Sequence, residues 1–189
     1  MKHNDKYYEN KKKIFDCFIT LINNEGYDAA TINKVSKITG LSYGSITNIF
    51  NTKEDVLLEV LKVNVEAYEQ VLLKSNDKME LFLSNIVKQM KRIDNDDNFK
   101  EILLDQFSLK KTTCFLKDHL ASLLYNTIED KSDCYFKAVA IVGIIREYIN
   151  TDINSYIYID KKIDNLIEDI LLICKYPNDQ IQFIKSRLN

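Results

Sequence analysis

The sequence predicts an all-α protein, and three observations support this fold class. Only four glycines and one proline occur among the 189 residues, so the chain has few turn-forming positions. Apolar residues recur at spacings of three and four over most of its length, as expected for amphipathic helices. The single alternating stretch, residues 153–159, would form an isolated strand without a partner and is predicted to be a connector. We therefore expect about ten helices, with short ones first and longer ones after.

The first 52 residues are predicted to form three helices. The first covers residues 9–24 and ends before Gly26. Thr31 is a suitable N-cap for a short second helix that Gly40 closes, and Ser42 caps a third helix that runs to about residue 50. The side chains expected to face inward are Ile14, Phe18, Leu21, Ile22, Ile32, Val35, Ile38, Ile46, Ile49 and Phe50.

Longer helices are predicted from residue 53 onwards. Thr52 and Asp55 have capping-box spacing at the start of a helix that extends to about residue 75. A further helix is expected near residues 112–129, and other helix starts are expected at Asp77, Asp96 or Asp97, Ser132, Asp160 and Asn178. This pattern divides the chain into a small N-terminal domain, residues 1–52, and a larger helical domain, residues 53–189.

Composition and charge limit the possible functions. Hydrophobic residues make up 46% and charged residues 29%, and the net charge is −2, so the protein is not a globally basic nucleic-acid binder. Residues 1–53 carry eight lysines and five acids, a modest balance of +3. No apolar run approaches a membrane span and no signal peptide begins the chain, so we expect a cytoplasmic protein. The four dispersed cysteines indicate buried, reduced thiols and no metal site.

The polar stretch from Thr39 to Glu54 is the strongest functional signal. Two short helices joined by a turn containing Gly40 predict a helix-turn-helix over about residues 31–50, whose second helix can enter the DNA major groove. Gly44 allows that helix to approach a neighbour or a phosphate backbone closely. The side chains expected on the outer edge are Ser42, Tyr43, Ser45, Thr47 and Asn48. A solvated surface helix is the alternative interpretation, but the placement of the glycine turn favours the first.

The same residues resemble a known family. Glu25-Gly26-Tyr27, Thr31-Ile32, Gly40-Leu41-Ser42, Gly44-Ser45-Ile46 and the run FNTKE from Phe50 are similar, in this order, to the N-terminal domain of TetR-family repressors. The resemblance covers about residues 11–60. This sequence departs from the family pattern at Ser36, Tyr43, Thr47 and Ile49, and Thr39 replaces a usual small residue. Beyond residue 60, only the helical character and the length are similar.

The resemblance implies a set of contacts to double-stranded operator DNA. Thr31 and Lys53 would bind phosphates, and Ser42 and Tyr43 would approach the backbone at the groove edge. Base edges would be reached by Ser45, Thr47 and Asn48, of which Asn48 is suited to adenine because its amide can pair with N6 and N7. Three adjacent lysines either attract phosphates or form a solvated helix start: Lys11, Lys12 and Lys13.

The resemblance also implies that the larger domain binds a small-molecule inducer and forms a homodimer. Dimerisation would use the helices at about 132–150 and 160–175. At helical spacing such residues are more often core than ligand contacts, and a lone histidine is more often simply hydrogen-bonded or exposed. With that alternative, the candidate inducer contacts are Tyr68, Phe82, Met90, Phe107, Phe115, His119 and Tyr125. No catalytic motif or cofactor site is visible, so we do not expect an enzyme. We therefore predict a dimeric, ligand-released transcriptional repressor; the alternative is a helical protein–protein interaction module whose DNA-binding motif is degenerate.

Overall fold

Ten α-helices follow one another along the part of the chain that the structure, a computed structural model, describes. It describes residues 2–72, 75, 77–93, 95–151 and 159–188, without the side chains of residues 2–4, 69, 70, 72, 159 and 160. The helices are α1 (Lys2–Glu25), α2 (Ile32–Thr39), α3 (Tyr43–Thr47), α4 (Lys53–Leu72), α5 (Lys78–Ile93), α6 (Asp97–Ser108), α7 (Lys110–Tyr125), α8 (Cys134–Asn150), α9 (Ile159–Ile173) and α10 (Asn178–Leu188). The all-α prediction is confirmed.

The chain divides into two units, and the division lies after Val63, inside α4. The predicted boundary at residue 52 instead coincides with the start of that helix. The first unit packs α1, α2, α3 and the first half of α4 around a small core of its own. Its buried apolar side chains are Ile14, Phe18, Leu21, Ile22, Tyr27, Ala30, Val35, Ile46, Phe50, Val56, Leu57 and Leu61.

The predicted inward face of α2 is wrong at one position. Ile38 is 60% exposed, whereas Thr39 is 6% exposed. Thr39 can be buried because its hydroxyl donates to the Val35 carbonyl oxygen at 2.7 Å and accepts from the Leu41 N–H at 3.3 Å. A polar group that is hydrogen-bonded in this way loses little on burial. A prediction of burial from side-chain polarity alone is therefore wrong for Ile38 and Thr39.

Helix caps in the first unit follow the predicted residues, but two helix lengths differ. The Thr31 hydroxyl accepts from the Lys34 N–H at 3.3 Å, and the Thr52 N–H donates to the Asp55 carboxylate at 2.9 Å. α1 begins at Lys2 instead of residue 9, because residues 5–9 are all exposed and carry no apolar periodicity that would reveal the helix. α3 ends at Thr47 instead of residue 50, since the N–H groups of residues 49 and 50 both turn back to the Ile46 carbonyl oxygen.

The six helices from α5 to α10 pack around one large apolar core in the second unit. α8 packs against α6, α7 and α9. The largest side chains with almost no exposure in this unit are Leu83, Leu124, Ile141, Ile149, Leu166, Ile167, Ile170 and Leu171. The helical pattern predicted from the sequence is confirmed here, and the predicted connector at residues 153–159 lies outside the described residues, apart from Ile159, which begins α9.

Several helix starts in the second unit differ from the prediction. α8 is preceded by Asp133, in a left-handed conformation with φ 54°, instead of by Ser132. α7 covers Lys110–Tyr125 instead of residues 112–129, and α9 begins at Ile159, before Asp160. α10 begins at Asn178, which was predicted to be its N-cap. The first helical hydrogen bond instead runs from the Ile181 N–H to the Pro177 carbonyl oxygen at 3.0 Å, so Pro177 occupies the cap position.

A buried lysine of α8 stabilises the loop before this helix by hydrogen bonds to Asp130 and Ser132. Lys137 is 6% exposed, and its ammonium donates to the Asp130 carbonyl oxygen at 2.7 Å, to the Asp130 carboxylate at 3.0 Å and to the Ser132 carbonyl oxygen at 2.8 Å. Lys175 reaches the same carboxylate at 2.7 Å. Hydrogen bonds from Lys175, the Ser132 hydroxyl and Lys137 hold the pKa of Asp130 well below its usual value.

The lowered pKa of Asp130 predicts a pH-dependent contribution to stability. Because the folded carboxylate binds protons less readily than the unfolded one, its contribution is present above a pH of about 4 and is lost as the pH falls. The urea concentration at the unfolding midpoint should therefore fall less between pH 7 and pH 3 for Asp130→Asn than for the wild type. Equal losses in both proteins would contradict this role, since all other carboxylates are common to the two.

The cysteines only partly match the prediction. Cys134 and Cys174 are buried, Cys17 is half-buried, and Cys114 is exposed, so the expectation of burial is wrong for Cys114. Burial raises the pKa of the Cys174 thiol to about 11. No helix within the described ranges has the length and apolar character needed to cross a membrane.

Candidate nucleic-acid interface

The turn between α2 and α3 is fixed by its own hydrogen bonds. Gly40 adopts φ 72°, a left-handed conformation that glycine takes without a steric penalty, and its N–H donates to the Ser36 carbonyl oxygen at 2.9 Å. The Ser36 hydroxyl donates to the Leu41 carbonyl oxygen at 2.7 Å. These bonds satisfy backbone polar groups that a chain reversal would otherwise leave without a hydrogen-bond partner. The turn therefore fixes the orientation of α3 relative to α2.

Three of the predicted contact residues on α3 already use their hydroxyls within the helix. The Ser42 hydroxyl caps α3 by accepting from the Ser45 N–H at 3.1 Å, and it lies 2.8 Å from the Ser45 hydroxyl. The Thr47 hydroxyl donates back to the carbonyl oxygens of Tyr43 and Gly44 at 3.2 and 3.3 Å. These side chains stabilise the short helix, and their hydrogen-bonding capacity toward another molecule is reduced.

Tyr43 and Asn48 are the two freely presented polar side chains of α3. Tyr43 is 54% exposed at the first position of the helix, and Asn48 is exposed at its C-cap. Neither the phenol nor the amide makes a hydrogen bond within the part of the chain that is described. Between them, a Cβ added to Gly44 would meet no atom within 4 Å, so the backbone there is open to a close neighbour.

The apolar side of the same segment anchors it to the first unit. Ile46 has no exposed surface and Phe50 is 4% exposed, while Ile49 is only half-buried. Val35 of α2 is fully buried as well. The helix-turn-helix thus exposes polar groups on one side and buries branched and aromatic groups on the other, as the sequence predicted.

Lys53 is engaged within the first unit. Its ammonium lies 4.0 Å from the centre of the Tyr27 ring and donates to the Tyr27 carbonyl oxygen at 3.1 Å and to the Asp28 carboxylate at 3.2 Å. The Asp28 side chain is fully exposed, so this ion pair is weak in water. An ammonium has three donors, and these contacts leave capacity for a phosphate.

The other lysines that could attract DNA are mostly paired. Lys11 binds Glu59 at 2.7 Å and Lys12 binds Asp16 at 2.7 Å, while Lys34 pairs with Glu25. The hydrogen bond that Lys11 donates to the Glu59 carboxylate raises the pKa of Lys11. Separately, the Lys13 ammonium donates to the Thr39 carbonyl oxygen at 2.7 Å, at the C-terminus of α2. Neither sequence interpretation of Lys11, Lys12 and Lys13 anticipated these partners.

The first unit as a whole is close to neutral. Residues 1–63 contain nine lysines and eight acids, a balance of +1, and no arginine occurs before Arg92. Residues 38–52, which include all of α3, contain no charged side chain. Lys37 on α2 is an exposed lysine without an ion pair among the described residues, and sequence analysis did not single it out.

Comparison with solved structures identifies the fold. The structure superposes on RolR in complex with resorcinol with a TM-score of 0.70 over 97% of this chain and 96% of that one, at 18% identity. It is also similar to FadR of Thermus thermophilus, a TetR-family transcriptional repressor in complex with lauroyl-CoA, with a TM-score of 0.59 over 85% and 93% of the two chains at 15% identity. The multidrug binding protein EbrR, complexed with malachite green, gives 0.54 over 85% and 97% at 15% identity.

The chain has the TetR-family fold. No protein-family model and no curated protein sequence matches it, so the likeness is one of structure at low sequence identity. The TetR-like helix-turn-helix consists of α2 and α3, preceded by α1.

The TetR-like second unit places the predicted inducer contacts in different surroundings. Met90 is buried in the core, and Phe82 and Phe107 pack against it half-buried. Phe115 and His119 stack with ring centres 5.9 Å apart. Tyr125 is 54% exposed, with the Lys131 ammonium 4.8 Å from its ring centre.

Two buried hydroxyls of the second unit lack a hydrogen-bond partner in the described structure. They are the Tyr68 phenol on α4 and the Thr113 hydroxyl on α7. Burial raises the pKa of the Tyr68 phenol well above its usual value. An unsatisfied buried hydroxyl costs about 1–3 kcal/mol, so each is a candidate to meet a water or a ligand. Sequence analysis singled out Tyr68 as an aromatic residue and did not consider Thr113.

The phosphate contact that the resemblance implies for Lys53 predicts that removing this lysine weakens DNA binding without changing its sequence preference. Lys53→Ala is expected to lower the affinity for specific and random duplexes alike and to reduce the slope of log K against log salt by about 0.9 for each half-site. Lys53→Arg, which keeps the charge, should retain the slope. An unchanged slope in the alanine variant would exclude a phosphate contact by Lys53.

Proposed function

We propose that this protein is a cytoplasmic, dimeric, ligand-responsive transcriptional repressor that binds operator DNA through α2 and α3. The observation that carries the proposal is the geometry of these helices. Two short capped helices meet at a fixed left-handed glycine turn, and the second buries Ile46 while it exposes Tyr43 and Asn48. A helix presented in this way fits the major groove.

The proposed DNA contacts follow from the exposed positions. Thr31, at the start of α2, and Lys53, at the start of α4, are proposed to bind phosphates. Tyr43 and the backbone beside Ser42 approach the groove edge. Base edges are left to Asn48 and, with less capacity because of their internal hydrogen bonds, to Ser45 and Thr47.

The proposed homodimer uses the exposed faces of α8 and α9. Phe136 is 72% exposed on α8, and Leu172 is 49% exposed on α9. Ala140 and Gly143 lie on the same exposed side of α8 as Phe136, and a Cβ added to Gly143 would meet no atom within 4 Å. Small residues beside exposed large apolar ones suit close contact with a second copy of this helix.

A small-molecule effector is proposed to act through the second unit. The unpartnered hydroxyls of Tyr68 and Thr113 supply polar groups for it, and the half-buried Phe115 ring, two positions after Thr113, supplies apolar surface. α4 contributes Lys53 to the first unit and Tyr68 to the second, so a ligand that shifts this helix can reposition the helix-turn-helix. A coupling of about 1–3 kcal/mol is typical of such regulation.

Linkage gives a direct test of this regulation. An effector that releases operator DNA must itself bind more weakly, by the same factor, when operator DNA is present. Calorimetric titration of a candidate effector into the free protein and into the operator complex measures both affinities. Equal affinities would exclude that compound as an allosteric effector.

The proposed function is tested by selecting bound duplexes from a random DNA library with the full-length protein. We expect a two-fold symmetric site whose half-sites lie about 34–36 Å apart, because a dimer must reach two successive major grooves. A folded protein that enriches no sequence would contradict the proposal.

An interaction module with a degenerate DNA-binding motif remains the second candidate, and the near-neutral first unit favours it. A module of this kind would bind neither random nor selected duplexes measurably. It would therefore also lack the falling affinity with rising salt that accompanies phosphate contacts. The same selection experiment, repeated at two salt concentrations, separates the two functions.

A further inference from the structure

We infer that the operator half-site is read at A·T pairs, through Asn48, and that no guanine or cytosine is contacted directly by α3. This inference rests on the proposed DNA-binding function and names the class of sequence that the interface accepts. It follows from which side-chain groups the recognition surface contains and from which of them are free.

The side chains that read G·C pairs in the major groove are missing from the recognition segment. Guanine is typically read by arginine or lysine, which donate two hydrogen bonds to O6 and N7, and cytosine by a carboxylate that accepts from N4. Residues 38–52 contain no lysine, arginine, aspartate or glutamate, and the chain has no arginine at all before Arg92. The segment therefore offers neither kind of contact.

The hydroxyls of α3 do not replace them. The hydroxyls of Ser42 and Ser45 are 2.8 Å apart, and Ser42 also accepts the Ser45 N–H. The Thr47 hydroxyl already donates its hydrogen bond to carbonyl oxygens of its own helix. A serine or threonine hydroxyl distinguishes bases only weakly even when it is free, so these three groups contribute little base discrimination.

Among α3 and its two cap residues, Asn48 carries the only amide, whereas the exposed Tyr43 phenol offers a single hydroxyl. Its amide is exposed at the C-cap of α3 and forms no hydrogen bond to the described residues. A free amide donates to N7 and accepts from N6 of adenine, a pairing that G·C cannot offer in the same arrangement. Gly44, one turn earlier, leaves the backbone bare, which allows the helix to approach the base edges closely.

The experiment uses the full-length protein and duplexes selected from a random library. Adenine at each selected half-site position is then replaced in turn by 7-deazaadenine, which keeps the base pair and removes only the N7 acceptor. We expect one position per half-site at which this replacement lowers wild-type affinity by about 5- to 150-fold. Asn48→Ala should lose at least the same factor on the natural duplex, because it removes both amide hydrogen bonds, and should show no further loss with 7-deazaadenine.

Matched variants and duplexes make each outcome decisive. Asn51→Ala, at another exposed asparagine just beyond α3, should keep the selected base preference. Selected half-sites that require G·C where Asn48→Ala relaxes the preference would overturn the inference and leave the proposed function intact. A selected A·T site whose affinity is insensitive to both Asn48→Ala and N7 removal would also overturn it. Failure to select any site would instead refute the DNA-binding function itself.

Discussion

Ile46→Ala is expected to abolish operator binding by unfolding the helix-turn-helix. Ile46 has no exposed surface and is the only residue of α3 that is fully buried. Truncating a buried isoleucine to alanine costs about 2–5 kcal/mol, which is a large part of the stability of a small unit. Hydrogen exchange followed by mass spectrometry should show faster exchange in α2 and α3, and operator binding should be lost at ordinary protein concentrations.

Ile38→Ala is the matched control for this prediction. It removes the same atoms from the same unit, but Ile38 is 60% exposed, so its effect on stability should stay within about 0.5 kcal/mol. If the two variants exchange at the same rate in α2 and α3, Ile46 does not hold the segment in place.

Gly143→Leu is expected to dissociate the proposed dimer without unfolding the protomer. The added side chain enters open space within one chain, and leucine favours a helix over glycine by about 1 kcal/mol. Against a second copy of α8, the same side chain would overpack the contact at a cost of about 1–3 kcal/mol. The dimer dissociation constant should therefore rise by about 5- to 150-fold, and operator affinity should fall because a monomer reaches only one half-site.

Sedimentation equilibrium measures the dissociation constant, and circular dichroism confirms that the helices remain. Ser122→Leu places the same side chain at an exposed position of α7 and should leave the dimer intact. A Gly143→Leu protein that remains as dimeric as the wild type would move the interface away from this face of α8.

The features that the sequence predicted well are local ones. Thr31, Gly40, Ser42 and the Thr52–Asp55 pair were assigned correctly because a cap acts within three or four residues of its own position. Ile38 and Thr39 were misassigned because an eight-residue helix has only two turns. Over that length the apolar pattern does not fix which neighbouring position faces inward.

The features that the sequence did not predict depend on contacts between distant residues. Lys11 and its partner Glu59 are separated by 48 positions, so no spacing rule connects them. The buried hydroxyl of Thr113 could not be found either, because polarity along a helix shows which face a residue occupies and not whether its hydrogen bonds are satisfied. The candidate inducer contacts remain predictions, since core and pocket aromatics have the same helical spacing.

The pairing of lysines in the first unit has a consequence for how the proposed regulator finds its operator. Non-specific attraction to DNA comes almost entirely from cations that neutralise phosphates. With Lys11, Lys12 and Lys34 paired to carboxylates, we expect the proposed repressor to dissociate quickly from random DNA. Its target search would then proceed by repeated encounters from solution more than by sliding along the duplex. We expect few molecules to be sequestered on the genome, so that a small number of copies per cell would keep an operator occupied.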